Sequence, residues 1–329
     1  MSRPLVDALL QRAVDRPPVW IMRQAGRYLP EYRELRSGKT FQECVSDPAI
    51  AAEVSLQPIR RFDMDGAVIF ADIMTPLEAM GVDVEFDPGP KLRPHELAEI
   101  AALKIFDPER VGFVAETIKR VRASVPDTTA VIGFAGAPLT LLAYLVEGGG
   151  SKEFMMLRAA LRRDPAGASA ALDVLGRAMN SYLRMQVDAG ADVIQLFDSW
   201  AGVLDRERFQ ELAVPGARTA LDGLEVPRIY FAPGAGHTLD LQPTIAADAY
   251  SVDWRLPIDE AWDRLGDVAI QGNIDPAVLL TDPDTIRRAV TDLLARVGGR
   301  AGHVVNLGHG IDRQTPPEHV AALVRAVRS

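Results

Sequence analysis

Eight short apolar or β-branched runs punctuate the chain, most of them separated by longer stretches of helical period. They cover residues 18–22, 67–70, 130–134, 193–197, 227–231, 249–252, 268–271 and 303–307. Between them, sets such as Leu172, Leu175, Met179, Leu183 and Val187, or Val320, Leu323, Val324 and Val327, follow the i, i+3, i+4, i+7 spacing of an amphipathic helix. Strands buried on both faces read as unbroken apolar runs, and strand–helix alternation implies parallel pairing through right-handed crossovers. Eight such units predict an α/β fold, a (β/α)8 TIM barrel. A doubly wound open sheet is the competitor, but no G-x-G-x-x-G follows the first run.

Two excursions interrupt the alternation. Residues 81–94 alternate and carry a Pro/Gly-rich turn, which predicts a small β-hairpin inserted after strand 2. Glu147-Gly-Gly-Gly-Ser-Lys152 predicts a flexible hinge, a lid or the mouth of a cleft. Without a repeat, a low-complexity segment or a second core, residues 1–329 read as one domain.

Glycine and polar residues collect at the C-terminal ends of the runs: Arg23 to Arg27, Asp72, Gly136, Asp198-Ser199, Gly234 to His237, Asp253-Trp254, Gly272-Asn273 and Gly308-His309-Gly310. Barrel enzymes build their active sites on that face, so one cleft lined by several of these groups is expected. Charge adjusts the picture without directing it. Of 329 residues, 36 are Lys or Arg and 45 Asp or Glu, a net −9, which argues against nucleic-acid binding but leaves an anionic small molecule open. The lone Cys44 can form no intrachain disulfide and no zinc site of two or more thiolates. Residues 128–146 carry no charge, yet Gly133, Gly136 and Pro138 break them into a strand, a turn and a helix instead of a membrane span. The charged, amphipathic N-terminus lacks a signal-peptide pattern, so a cytoplasmic protein is expected.

At these strand ends the chain resembles the uroporphyrinogen decarboxylases of haem biosynthesis. PVWIMRQAGRYLPEYR (18–33) is similar to that family's N-terminal signature and GFAGAPLTLLAYLVEGG (133–149) to its second. FDMDGAVIFADIMTPLEAMG (62–81), QLFDSWAG (195–202), QGNIDP (271–276) and NLGHGI (306–311) agree in order and spacing. Asp312-Arg313-Gln314 departs from the family, which usually has a proline-containing stretch there. The resemblance implies a cofactor-free, metal-free homodimer that converts the four acetate side chains of uroporphyrinogen III to methyl groups, giving coproporphyrinogen III and four CO2.

It also implies roles. Asp72 would stabilise the cation formed when a pyrrole ring is protonated, whereas on sequence alone a cap for the next helix is the alternative. Residues 21–40 hold five basic and two acidic side chains, a local positive field for the eight carboxylates of that substrate. Within them Arg23, Gln24, Ala25, Gly26 and Arg27 would bind it, with Arg23 a second-line proton donor; Arg33, Arg36 and Lys39 read as a solvated helix face. Tyr144 reads as core from its apolar helix and as a substrate-binding, catalytic residue from the resemblance. Ser199, a cap by its position, would bind a substrate carboxylate, as would His309, expected to be the most exposed histidine and protonated when bound. His237 stands outside the set, His303 begins a strand, and His95 and His319 read as surface positions. Rival readings are a noncatalytic tetrapyrrole-binding protein, a corrinoid-linked methyltransferase whose zinc thiolates Cys44 cannot supply, and a sugar-phosphate barrel enzyme with only Gly272 and Gly308 as hints of its phosphate site.

Overall fold

A computed structural model describes residues 3–86 and 89–329. Its strands are β1 (Gly66–Val68), the short β2 (Glu85–Phe86) and β3 (Pro90–Lys91), then β4 (Ala130–Gly136), β5 (Val193–Phe197), β6 (Arg228–Phe231), β7 (Ala249–Ser251), β8 (Ala269–Gln271) and β9 (His303–Val304). Seven of them form one curled parallel sheet in the order β1-β4-β5-β6-β7-β8-β9. Helices fill the crossovers, the longest being Pro165–Asp188 after β4. Asp47, Asp164 and Asp282 start three of the helices by accepting backbone N–H groups, and each is followed by a proline that needs no partner at the first helical position.

Seven of the eight expected runs contain a sheet strand; the eighth, 18–22, differs. Only Val19 bridges in parallel to Val305. Hydrogen bonds nevertheless hold the segment on both sides: Asp65 N–H donates to Val19 O at 3.0 Å and Val305 N–H to Pro18 O at 2.9 Å. A regular ladder fails because Pro17 and Pro18 have no N–H to donate, while side chains take the next ones. Asp65 accepts from Val19, Gln24 from Ile21 and Asn306 from Met22. The 303–307 run likewise leaves the ladder after Val304, with single bridges at Val305 and Leu307.

The expected hairpin is β2 paired antiparallel with β3; Asp87 and Pro88 of its turn, like Met1 and Ser2, lie outside the described residues. The glycine-rich segment expected to hinge is tied to this hairpin. Gly148 ends helix Pro138–Glu147 at φ +75° with its N–H on Tyr144 O, its own carbonyl accepts from Leu92, and Gly149 bridges Lys91.

Alternation along the strands sorts two apolar layers. Val68, Ile132, Val193, Ile229 and Val304 point inside the curl with Trp20, where Leu5 and Leu9 of helix Pro4–Leu9 also pack. Val131, Ile194, Tyr230 and Ile270 point outward to the helices. Inside, a buried polar chain is satisfied end to end: Trp20 Nε1 donates to Gln271 Oε1 at 2.8 Å, and Gln271 Nε2 to Gln195 Oε1 at 3.0 Å. No helix among the described residues is long and apolar enough to cross a membrane; residues 128–146 form β4, a turn and a helix.

At the N-terminal ends of the strands one device recurs. Asp65, Asp192 and Asp248 sit just before β1, β5 and β7, and each accepts an N–H from the start of the neighbouring strand or segment, at Val19, Val131 and Arg228. Each also pairs with arginine: Arg16–Asp65 at 2.8 Å, Arg122–Asp192 at 2.8 Å with Arg3 at 2.9 Å, and Arg228–Asp248 at 2.8 Å.

Candidate functional site

Arg23 and Arg27 leave the end of the 18–22 segment through a tight turn. Gln24 N–H donates to Ile21 O at 2.9 Å, and Arg23 itself takes the left-handed conformation, φ +64°, that non-glycine residues rarely adopt. Gln24 is fully buried and its amide is spent inside the fold, accepting from Ile21 and donating to Gly66 O at 2.8 Å. It shapes the turn and does not present its side chain to a ligand. Ala25 and Gly26 are half-buried, and a side chain on Gly26 would crowd Arg23 O at 3.2 Å. Arg23 and Arg27 are exposed and have no carboxylate partner among the described residues.

The loop after β9 fixes Arg23 from the other side. Ile311 N–H donates to Met22 O at 2.9 Å, and any Cβ at Gly310 would collide with the Arg23 side chain. Gly308 is equally constrained, since a Cβ there would strike the Asp253–Trp254 backbone. Both glycines therefore make room for neighbours, where the sequence suggested freedom for His309. His309 is half-buried, edge-on to Trp254 at 6.3 Å between ring centroids, whereas His237 is exposed with Nε2 on Leu204 O at 2.7 Å. The expected ranking of the histidines is thus corrected, as is the surface reading of His95 and His319, which are half-buried. His303 begins β9, fully enclosed, with its pKa pushed down to about 4 by burial. Burial, then Arg23 and Arg255, lower His309 below the usual imidazole value, so before any anion arrives the ring is neutral at pH 7.

Asp72 is half-buried beyond β1. Its Oδ1 accepts from Met74 N–H at 2.8 Å, and Oδ2 makes no hydrogen bond among the described residues. The sequence left capping and catalysis as alternatives; the carboxylate anchors the turn with one oxygen and keeps the other free. Burial raises its pKa above the ordinary carboxylate value, while the Met74 N–H and the charge of Arg23 work against that rise.

Tyr144, half-buried on helix Pro138–Glu147, lies edge-on to Trp200 with centroids 6.0 Å apart. Burial raises its phenol pKa, with Asp72 adding to the rise and the Trp200 indole and Arg23 offsetting it, so the hydroxyl is a neutral donor. The charge of Arg23 thus acts on Asp72, Tyr144 and His309, and that of Asp72 on Tyr144. Ser199 is half-buried, with no hydrogen bond among the described residues; the next turn, Ala201–Val203, starts from Trp200, so Ser199 does not cap it.

Sequence reasoning missed two groups. Asp198, fully buried, accepts from Thr140 Oγ1 at 2.9 Å and Tyr230 Oη at 2.7 Å, and burial raises its pKa to about 6. Thr140 stands one helical turn before Tyr144, so this carboxyl ties the tyrosine's helix to the loop bearing Ser199 and Trp200; the Thr140–Tyr144 spacing was the available signal. The second group is Arg33 and Arg36. Arg33 and Lys39 are exposed, as a solvated face requires, and Arg36 is half-buried; Arg33 and Arg36 also line, with Arg27, Tyr32 and Arg313, an open cavity of about 490 Å³ that Lys39 does not reach. Arg36 and Arg27 both act on the Tyr32 phenol, whose pKa burial otherwise raises.

A family model described as uroporphyrinogen decarboxylase (URO-D) matches residues 2–329. A relative named uroporphyrinogen decarboxylase from Syntrophotalea carbinolica is 42% identical over 329 residues, covering 98% of this chain and 96% of that protein. Another of that name, from Myxococcus xanthus, is 43% identical over 335 residues, covering 99% and 96%. Among solved structures, a methyltransferase from Methanosarcina mazei superposes with a TM-score of 0.81 at 22% identity, covering 99% of this chain and 97% of that one, a likeness of fold alone.

Proposed function

The chain belongs to the uroporphyrinogen decarboxylase family, and we propose that its cleft carries out that family's reaction, converting the four acetate side chains of uroporphyrinogen III to methyl groups with release of four CO2. The observation that carries this reading is the presence together of a half-buried carboxylate, Asp72, having one unused oxygen, and a group of arginines that no described carboxylate neutralises.

An acetate on a pyrrole loses CO2 only if the electron pair left behind has a sink. Protonating the adjacent ring carbon makes the ring a cation; the C–C bond then breaks, its electrons neutralise the ring, and protonation of the resulting methylene with loss of the proton first added to the ring carbon gives the methyl group and restores the pyrrole. Asp72 stabilises the cationic ring and accepts its N–H groups, because a fixed opposite charge in a water-poor cleft acts where charge develops. Tyr144 donates to the carboxyl side of the same centre as a neutral phenol. Arg23 and Arg27 hold substrate carboxylates with planar, permanently charged forks, and Ser199 and His309 complete the clamp. Arg23 delivers the proton only weakly, since a guanidinium is a poor acid; water or a substrate carboxyl is the better source.

The same reading treats residues 1–329 as one domain, a (β/α)8 barrel that the 18–22 segment closes between β1 and β9, supported by its hydrogen bonds to both sides. Family likeness supports a homodimer located in the cytoplasm, which sedimentation and fractionation test. The deciding experiment is an anaerobic assay of chelator-treated protein with uroporphyrinogen III, following the oxidised products by chromatography. Stepwise appearance of hepta- to tetracarboxylates is expected; an octacarboxylate that binds and remains intact makes the protein a noncatalytic tetrapyrrole binder.

A further inference from the structure

Met22, the residue before Arg23, gives both of its backbone polar groups to the segment that follows β9. Its N–H donates to Asn306 Oδ1 at 3.0 Å, and its carbonyl accepts from Ile311 N–H at 2.9 Å. No backbone ladder supplies the first of these bonds, since parallel pairing between the two segments stops at the Val19–Val305 bridge and a side chain takes over. Asn306 is 1% exposed, among the fully buried Val304, Val305 and Leu307. Its Oδ1 also accepts from Leu307 N–H at 2.8 Å, and two N–H donors converging on one atom identify that atom as the oxygen. Nδ2 has no hydrogen-bond partner among the described residues, so the amide serves only Met22 and the next peptide. For the fold alone, a buried amide with one end unused is a cost. The Asn306 backbone is fixed as well: its carbonyl accepts from Ile274 N–H at 3.2 Å, and Gly308 N–H donates to Ile274 O at 2.7 Å. Residues 306 and 311 thus grip Met22 from the two ends of a loop whose middle carries His309, and Gly310 leaves room there for the Arg23 side chain.

We propose that Asn306 is a positioning residue that locks the Arg23 turn to the His309 loop, so that guanidinium and imidazole meet a ligand as one preset pair. The lock follows from the hydrogen bonds; its effect on catalysis rests on the decarboxylase reading. Arg23 stands at φ +64°, a backbone conformation that persists only where the surroundings hold it. Gln24 holds the turn on one side of Arg23, and the two bonds on Met22 hold it on the other. With both groups fixed beforehand, a ligand does not have to order them on arrival, which is the advantage of a supporting shell. Asn306 is itself enclosed and acts through Met22, not on the ligand.

The test is Asn306→Leu in the full-length protein, which keeps a branched side chain of similar shape and removes the acceptor, alongside Arg23→Ala and the double variant. His309 reports on the lock without substrate. Burial lowers its pKa most, then Arg23 and Arg255, with Asp253 opposing them. Asn306→Leu frees Arg23 and leaves the Arg255–Asp253 pair at 3.1 Å in place, so the imidazole pKa, titrated by NMR, should rise towards its ordinary value. In the Arg23→Ala background the same substitution should leave it unmoved. KM for uroporphyrinogen III should rise by up to about tenfold, the net worth of one hydrogen bond, with kcat nearly unchanged. That rise, too, should vanish in the Arg23→Ala background. A lower melting temperature with the His309 titration and KM unmoved, or equal changes with and without Arg23, makes Asn306 a stability residue only and overturns the proposal. Hydrogen exchange on the wild type decides the matter if the variant does not fold: the Met22 and Ile311 amides should be protected to the same degree, and a Met22 amide that exchanges like an open loop refutes the lock. If the wild-type protein fails to decarboxylate while the His309 titrations behave as expected, the lock stands and the reaction assignment falls.

Discussion

The two ends of the parallel sheet use the same residue types to opposite purposes. At the N-terminal end, arginine and aspartate meet: Asp65, Asp192 and Asp248 each take an arginine and a neighbouring backbone N–H. At the C-terminal end Asp253 is paired with Arg255 at 3.1 Å, but the candidate site groups stay apart. Arg23, Arg27, Arg33, Arg36 and Arg313 find no carboxylate among the described residues, and Asp72 has no ion pair. Charges satisfied within the protein hold strands in register; charges left open wait for a ligand. Conserving stability at one rim and chemistry at the other is the division of labour expected of barrel-like folds, and here it is visible in the pairing of individual side chains.

The largest effect that can test this division is at Asp72. Asp72→Asn keeps size and the Met74 contact but removes the charge, so kcat should fall roughly 10²–10³-fold, with coproporphyrinogen III binding retained. Equal losses in turnover and binding would reduce Asp72 to a positioning group. At the opposite rim, Asp65→Ala leaves Arg16 and the Val19 N–H without their acceptor. Because Arg16 is one-third exposed, the loss of stability should be about 2–3 kcal/mol, below that of a fully buried pair. Thermal unfolding should shift down by several degrees with kcat per folded molecule unchanged; a large fall in kcat without a stability change would erase the distinction between the ends.

Asp198 lies between these extremes, on the catalytic side but wholly buried. Its folded pKa of about 6 exceeds the ordinary carboxylate value of 3.8, so the folded protein holds this proton more tightly than the unfolded chain. The stabilisation is complete below the unfolded value and is lost as pH rises from there through about 6, worth about 3 kcal/mol. Asp198→Asn should therefore flatten the change in melting temperature between pH 5 and pH 7 relative to the wild type. An unchanged slope would mean the carboxyl is ionised throughout.

Why the sequence shows some of this and hides the rest follows from which signals are local. Apolar runs and helical spacing are local, so seven strands, the hairpin and the helices at 165–188 and 317–328 stand where the pattern puts them. The 18–22 run looks like a strand because its side chains are apolar, but Pro17, Pro18 and the side chains of Asp65, Gln24 and Asn306 decide its backbone bonding, and two of those three are distant in sequence. Gln24 illustrates the limit of motif transfer: it lies inside a binding signature, yet both ends of its amide serve the fold. The open arginine cavity marks another limit: nothing local to Arg33 and Arg36 shows that Arg313, nearly 280 residues later, lies beside them.

The smallest predicted effect sharpens the comparison most finely, because it uses one residue type at both ends. Arg27→Ala should raise KM about tenfold with the larger loss at low salt, since the contact it serves is between solvent-facing charges. Raising salt to about 0.5 M, where the screening length falls to ~4 Å, should shrink the difference from the wild type. Arg16→Ala, at the other rim, removes an arginine whose bidentate bonds to Asp65 are part-buried at 2.8 Å each, so its effect should fall on melting temperature, leave KM alone and change little with salt. A KM effect of Arg27→Ala that is independent of salt would contradict a carboxylate clamp and point to the turn itself, held by Gln24 and Gly26, as what the substitution disturbs.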